Sequence, residues 1–99
     1  ELKPDESEVE LVGLATAPST KVQVPRLVGP PVAFECKLRQ ILDFGTGPIA
    51  PNLIVGEIVL IHVDDEVLGD NGRADPRKLQ TIARLGESFW CRTTDLFEQ

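Results

Sequence analysis

The sequence predicts a mainly β fold with short helices, and a sheet that this chain alone does not cover. Three observations carry this. Residues 52–66, NLIVGEIVLIHVDDE, form one long apolar stretch ending in acid. Read at period two, Leu53, Val55, Val59, Ile61 and Val63 lie on one face, with Glu57 among them; Ile54, Ile58, Leu60 and His62 lie on the other, with Gly56 between them. A strand on a half-solvated sheet alternates apolar with polar, and this one barely does, so both faces require cover. Either a barrel interior covers one face and a subunit partner the other, or part of the fold lies outside the chain. Second, residues 32–44 alternate with period two: Phe34, Cys36 and Leu38 against Glu35, Lys37 and Arg39. Third, helical periodicity is confined to short pieces.

The elements follow in order. Residues 1–12 are acidic, and Asp5 or Ser7 could cap a helical turn ending before Gly13, pinned by Leu11, Val12 and Leu14. Residues 17–31 carry four prolines and one glycine and read as extended and irregular. Val22 and Val24 suit a short edge strand that Pro25 ends. The strand at Val32–Phe44 slips phase at Gln40, where Ile41 and Leu42 are adjacent, which suits a bulge or bend. Gly45, Gly47, Pro48 and Pro51 then make a turn, most simply that of an antiparallel hairpin. After the long strand comes an acidic loop with a turn at Asn71–Gly72. Asp75 caps a short helix with Pro76 in its first turn, and Leu79, Ile82 and Ala83 form its apolar face. Ser88–Thr93 reads as a last strand.

Composition excludes several functions. The 99 residues are 41% hydrophobic and make at most one domain with a small core. The net charge is −6, and the ten Lys and Arg do not cluster, so no basic stripe exists for nucleic acid or an anionic membrane surface. The apolar run 53–63 is too short and too interrupted to span a bilayer. One His and two Cys without CxxC spacing lack the ligands of a structural zinc site, and no metal is expected. The acidic loop fails the calcium-loop spacing: counted back from Gly72 the first ligand place is Val67, and from Gly69 the fifth is Leu68. Cys36 and Cys91 are expected to be free thiols in a reducing cytosol, with one disulfide as the alternative. The chain begins Glu1-Leu2-Lys3 with no signal-peptide pattern, which suits a fragment of a longer protein.

Two places could carry chemistry. His62 is the only histidine and lies beside Asp64 on one strand face, as a general base would; no Ser or Cys nucleophile is recognisable at hand, so a hydrogen-bonded packing role is preferred. Ala83–Trp90 joins a short helix to a strand. There Gly86 would let backbone approach a ligand, Arg84 could meet an anionic group, and Trp90 could cover a flat ring. A surface arginine and a helix-stopping glycine explain the same residues equally well. No catalytic residue is assigned.

A set of short segments adds more. Gly13-Leu14, Pro18-Ser19, Pro25-Arg26, Phe34-Glu35-Cys36-Lys37-Leu38, Asn52-Leu53-Ile54-Val55-Gly56-Glu57-Ile58-Val59 and His62-Val63-Asp64-Asp65 occur in that order. Gly72-Arg73, Asp75-Pro76, Leu79, Ala83-Arg84-Leu85-Gly86 and Thr94-Asp95-Leu96-Phe97 follow. Together they resemble the C-terminal half of the flavin reductase-like, FMN-binding split-barrel family, across nearly the whole chain. The resemblance implies part of a split β-barrel, residues 1–99 being the C-terminal portion of one domain, incomplete here. It implies an FMN flavoprotein, cytoplasmic and homodimeric, in which NAD(P)H passes hydride to flavin, with a monooxygenase as possible partner. Arg84, Leu85, Gly86 and, more weakly, Trp90 would line the cofactor. Two departures stand out. The family usually has a second Gly where Glu87 stands and a Tyr where Trp90 stands. The half that holds the FMN phosphate and most of the ring has no counterpart here. The alternative implied is a non-catalytic split-barrel interaction or assembly domain that has lost flavin.

Overall fold

The computed structural model describes residues 6–99. The chain divides into two compact units, Glu1–His62 and Val63–Gln99. The strands form three two-stranded sheets, and no barrel closes among the described residues. The fold is mainly β with short helices, as the sequence predicts.

The first unit opens on a single helical turn, α1 (Glu8–Leu11). Ser7 is its N-cap residue but makes no side-chain cap bond, and Asp5 lies outside the described residues. The turn stops by a backbone device. Gly13, at φ +70°, donates to the Glu10 carbonyl (3.2 Å), and Leu14 donates to that of Val9 (3.0 Å). Those two bonds satisfy carbonyls that the helix end leaves open, and the left-handed position favours glycine.

Strands β1 (Thr16–Ala17) and β2 (Arg26–Leu27) pair antiparallel, Thr16 opposite Leu27 and Ala17 opposite Arg26. The edge strand expected at Val22–Val24 does not form. The two amides just before that segment, of Thr20 and Lys21, are taken by a carboxylate described below, and pairing resumes only past Pro25, which has no N–H to give. The Ser19 hydroxyl donates to the Val24 carbonyl (2.6 Å) and closes the loop between β1 and β2.

Strands β3 (Val32–Asp43) and β4 (Asn52–Val63) are hydrogen-bonded neighbours. Their connection, 44–51, is too short for the crossover of about a dozen residues that a parallel pair needs, so they form a hairpin. Phe44 N–H donates to the Pro51 carbonyl (3.1 Å) at its end. β3 runs continuously through Gln40, where the sequence suggests a break. The two-faced reading of β4 agrees with its exposure: Leu53 is 50% and Ile54, its neighbour on the opposite face, 67% exposed. The face assignment of β3 is corrected. Glu35, placed outward by alternation, is buried, while Phe34 and Cys36 of the apolar row are exposed.

In the second unit a 3₁₀ turn (Asp65–Val67) supplies Val67, the buried hydrophobic residue among those described. Leu68 and Ala74 bridge across the Asn71–Gly72 turn, where Asn71 Oδ1 accepts from the Arg73 amide (3.0 Å) and Gly72 takes φ +75°. Helix α2 is a single turn (Pro76–Leu79). Asp75 Oδ1 caps it by accepting from Arg77 N–H (2.9 Å), with Pro76 at the start, as expected. It ends at Gln80 in the left-handed region, φ 53°. Ile82 and Ala83 therefore do not extend the helix. They begin β5 (Ile82–Gly86), antiparallel to β6 (Phe89–Arg92). The β-branched Thr81 and Ile82 suit this extended course, and their pairing partners lie only a few residues ahead.

Candidate functional site

The sequence-predicted residues Arg84, Leu85, Gly86 and Trp90 all fall on the β5–β6 hairpin. Ala83 pairs with Cys91 and Arg84 with Trp90; the register then shifts between Arg84 and Gly86, leaving Leu85 in the bulge before Gly86 pairs with Phe89. The turn is Glu87–Ser88. Gly86 has φ +136° and Glu87 φ 47°, so the chain turns through two consecutive positive-φ residues. A Cβ on Gly86 would meet nothing within 4 Å. Its backbone angle, not a crowded neighbour, demands glycine. At the other end Thr93 N–H donates to the Thr81 carbonyl (3.2 Å), and the two threonine hydroxyls lie 2.7 Å apart, adding a rung.

Cross-strand pairing places Arg84 against Trp90. The guanidinium carbon sits 5.9 Å from the indole centroid, within cation–π range, and Nη2 donates to the Glu87 carbonyl (3.3 Å). Beside this pair a shallow, open hollow of about 310 Å³ is lined by Leu85, Gly86, Glu87 and Phe89. Leu85, Phe89 and Trp90 are each more than half exposed. The arrangement offers apolar edges and one indole to a flat ligand, with a glycine backbone beside them.

The first unit carries a cluster that sequence reasoning missed. Glu35 is 2% exposed and accepts from Thr20 N–H (2.8 Å), Lys21 N–H (2.5 Å) and lies 2.6 Å from His62 Nε2. Burial pushes its carboxyl up, but the two backbone bonds, the His62 hydrogen bond and the His62 charge outweigh it, and the pKa falls from 4.5 to about 2. The partner of His62 is thus Glu35 of β3, not Asp64. The packing reading of His62 agrees with this arrangement. Strand alternation hid Glu35. The one usable signal was a lone histidine on a strand consecutive to a strand bearing a carboxylate.

Cys36 and Cys91 are free and exposed. Among the described residues no group of three or more His, Cys, Asp or Glu could hold a metal ion, and no helix is long and apolar enough to cross a membrane.

No family model matches the chain. The fold nonetheless matches about half of solved split-barrel flavoprotein structures, as the ordered segments suggest. The chain is similar to nitrilotriacetate monooxygenase component B from Bacillus cereus, with a TM-score of 0.85 at 29% identity, over 99% of this chain and 49% of that one. It is similar to the 2-nitrobenzoate 2-nitroreductase NbaA of Pseudomonas fluorescens, with a TM-score of 0.79 at 37% identity, over 94% and 46%. A flavin reductase with a split barrel domain from Shewanella frigidimarina shares the fold, with a TM-score of 0.75 at 23% identity over 100% and 49%. A curated relative, an uncharacterized protein of Halalkalibacterium halodurans, is 36% identical over 98 residues, 97% of this chain and 46% of its own length. The chain spans about half the length of the curated relatives it matches.

Proposed function

We propose that the chain is the C-terminal portion of an FMN-binding flavoprotein of flavin reductase type, in which a reduced nicotinamide passes hydride to flavin. The observation that carries this reading is the likeness to nitrilotriacetate monooxygenase component B and to NbaA, at 29% and 37% identity across nearly all of this chain. When bound, flavin supplies the electron-accepting chemistry, and the protein's task is to bind, orient and shield it. On this reading Leu85, Gly86 and Phe89 border the ring, Trp90 lies against it, and Arg84 fixes that edge. The protein works in the cytoplasm, where free Cys36 and Cys91 stay reduced, as a homodimer that covers the open strand faces. A partner monooxygenase that consumes reduced flavin is the natural acceptor.

The isolated 99 residues bind FMN weakly, because the hairpin offers ring contacts without a phosphate cradle. The test is the absorbance spectrum of the protein purified with whatever sequence adjoins this chain, alongside its intact mass. A flavin spectrum, with released FMN identified by mass and NADH or NADPH oxidised in its presence, supports the reading. A colourless protein that takes up no added FMN overturns it. That outcome selects a second reading, a split-barrel assembly domain that has lost flavin, which Glu87 in a glycine's usual place favours.

A further inference from the structure

We infer that the hollow formed by the loop 18–25, β2 and the start of β3 is a binding site for a small apolar monocarboxylate, anchored by the Arg26 guanidinium. The site belongs to the first unit alone and does not depend on the flavin reading.

The hollow measures about 260 Å³, and its lining includes Val22, Val24, Arg26, Phe34 and Glu35. That is just below the about 300–1,000 Å³ of sites that take drug-sized ligands, so the occupant is about the size of one ring or a short branched chain. Arg26 is the cation in this wall. It is half-buried on β2, where pairing with Ala17 fixes its backbone. Its Nε is shut off from water and has no hydrogen-bond partner, and the side chain joins no ion pair among the described residues. A guanidinium held in this way has lost hydration without gaining an acceptor, a cost that an incoming anion offsets.

Glu35 is the carboxylate in the same wall, and it is already committed. Its Oε1 accepts from Lys21 N–H and its Oε2 from Thr20 N–H, with His62 Nε2 also on Oε2 at 2.6 Å. This arrangement selects the ligand's chemistry. A phosphate site gathers several backbone amides, and the Thr20 and Lys21 amides are spent on Glu35. A dianion would also share the wall with the Glu35 charge. A monocarboxylate carries less charge against Glu35 and matches the planar fork of a single arginine. Val22, Val24 and Phe34 give its body apolar cover.

The experiment uses the protein together with the sequence that adjoins this chain, with cyclohexanecarboxylate as the probe. Calorimetry and ¹⁵N amide shifts are the readouts. Cyclohexanecarboxamide keeps the body without the charge, acetate keeps the charge without the body, and inorganic phosphate is the competing anion. Saturable binding of cyclohexanecarboxylate is expected, about tenfold or more tighter than any of the three, with the largest shifts at residues 19–26 and 34–36. Arg26→Gln should weaken the probe about tenfold or more without changing flavin absorbance, and Arg26→Lys should restore part, since an ammonium keeps the charge but lacks the fork. Val24 is 71% exposed, so Val24→Glu adds a rim carboxylate without disturbing packing. It should weaken the probe about threefold or more, and it decides the matter if Arg26→Gln does not fold. Unchanged affinity in Val24→Glu overturns the proposal. So does phosphate or the carboxamide binding as tightly as the probe. No binding at all overturns it too, the result expected if an acidic side chain of the adjoining sequence fills the hollow. If the probe does not bind and Arg26→Gln costs FMN uptake, the arginine serves the cofactor; the carboxylate site fails and the flavin reading stands. Probe binding in a protein that takes up no FMN upholds the carboxylate site while the flavin reading fails.

Discussion

The β3–β4 hairpin is tied down by a buried charge, whereas the β5–β6 hairpin is tied down by an exposed one. In the first, the Glu35 carboxylate draws in two loop amides and His62 and is nearly removed from water. In the second, Arg84 lies across an indole and reaches a turn carbonyl in full view of solvent. A buried anion with three donors is costly to disturb, because each donor loses its partner at once. A surface cation–π pair is replaceable, because water takes over what it loses. The rigid contact therefore organises the scaffold, and the adaptable one sits where a ligand would need to displace or join it.

The comparison breaks first at Glu35. Glu35→Ala leaves the Thr20 and Lys21 amides and His62 unpaired, and releases the loop between β1 and β2. Amide exchange at Thr20 and Lys21 is expected to accelerate about tenfold or more, with a clear fall in Tm. Unchanged exchange at those two amides would mean that the loop holds its own shape. Acid should have a related effect. The folded carboxyl titrates at about 2 and the free one at 4.5, so the unfolded chain binds the proton more readily. The stabilisation from Glu35 is fully present above pH 4.5 and is lost as pH falls towards 2. An acid titration followed by circular dichroism should show this loss, and Glu35→Gln should remove that part of the pH dependence.

Gly86 sets the next largest effect. At φ +136° it occupies backbone space that L side chains rarely enter, so Gly86→Ala should cost about 1–3 kcal/mol of hairpin stability. There is room for the methyl group, so the cost isolates backbone strain from packing. Urea unfolding followed by Trp90 fluorescence measures it. A neutral substitution would show that the turn relaxes to another geometry.

Glu87→Gly tests the neighbouring position with the opposite sign. A non-glycine residue at φ 47° carries a left-handed penalty of about 1–2 kcal/mol, offset by about 0.5–1 kcal/mol that glycine loses in backbone entropy. A small gain in stability, between about zero and about 1.5 kcal/mol and read as a rise in Tm, is expected. The glycine usual at this place in the resembled family then reflects turn geometry, and Glu87 can be kept without destroying the hairpin. If the variant lost stability, the Glu87 side chain would have to hold a contact that outweighs its backbone cost.

What was legible in the sequence divides along the same physical line. The capped turn at Asp75–Pro76, the Asn71–Gly72 turn and the two long strands were readable, because each rests on local backbone preference or on period-two burial. The uncovered strand β4 was readable too, since no solvated strand carries Leu53 and Ile54 on opposite faces. The Ile82–Gly86 strand was not. Its apolar spacing fits a helix as well as a strand, and only pairing with Phe89–Arg92 decides between them. The edge strand placed at Val22–Val24 does not form, and the segment just before it is held through its Thr20 and Lys21 amides by a distant carboxylate that local pattern does not reveal. Glu35 itself escaped because alternation names a face but not which face is covered. On the hairpin, the sequence shows that Arg84, Leu85, Gly86 and Trp90 are near one another along the chain, but not the cross-strand contact that gives Arg84 its orientation.

The smallest effect lies on the β3–β4 pair itself, where Arg39 and Glu57 form an ion pair at 3.2 Å with side chains 66% and 51% exposed. Such a pair contributes about 0.2–1 kcal/mol, weakened by salt. A double-mutant cycle of Arg39→Ala and Glu57→Ala on the 99-residue chain should return a coupling in that range, falling as salt is raised. Repeated on the protein with its adjoining sequence, the cycle reports whether this strand pair is covered. Glu57 interrupts the apolar row of Leu53, Val55, Val59 and Ile61, so cover on that face would take Glu57 out of water. Burial makes the loss of one partner far more expensive, because the remaining charge is left without water or counter-ion. Each single substitution should then cost several-fold more than in the isolated chain, and the coupling should lose its salt dependence. Equal values in the two settings would place Arg39 and Glu57 at the rim, with water at that edge even when the apolar residues beside them are buried.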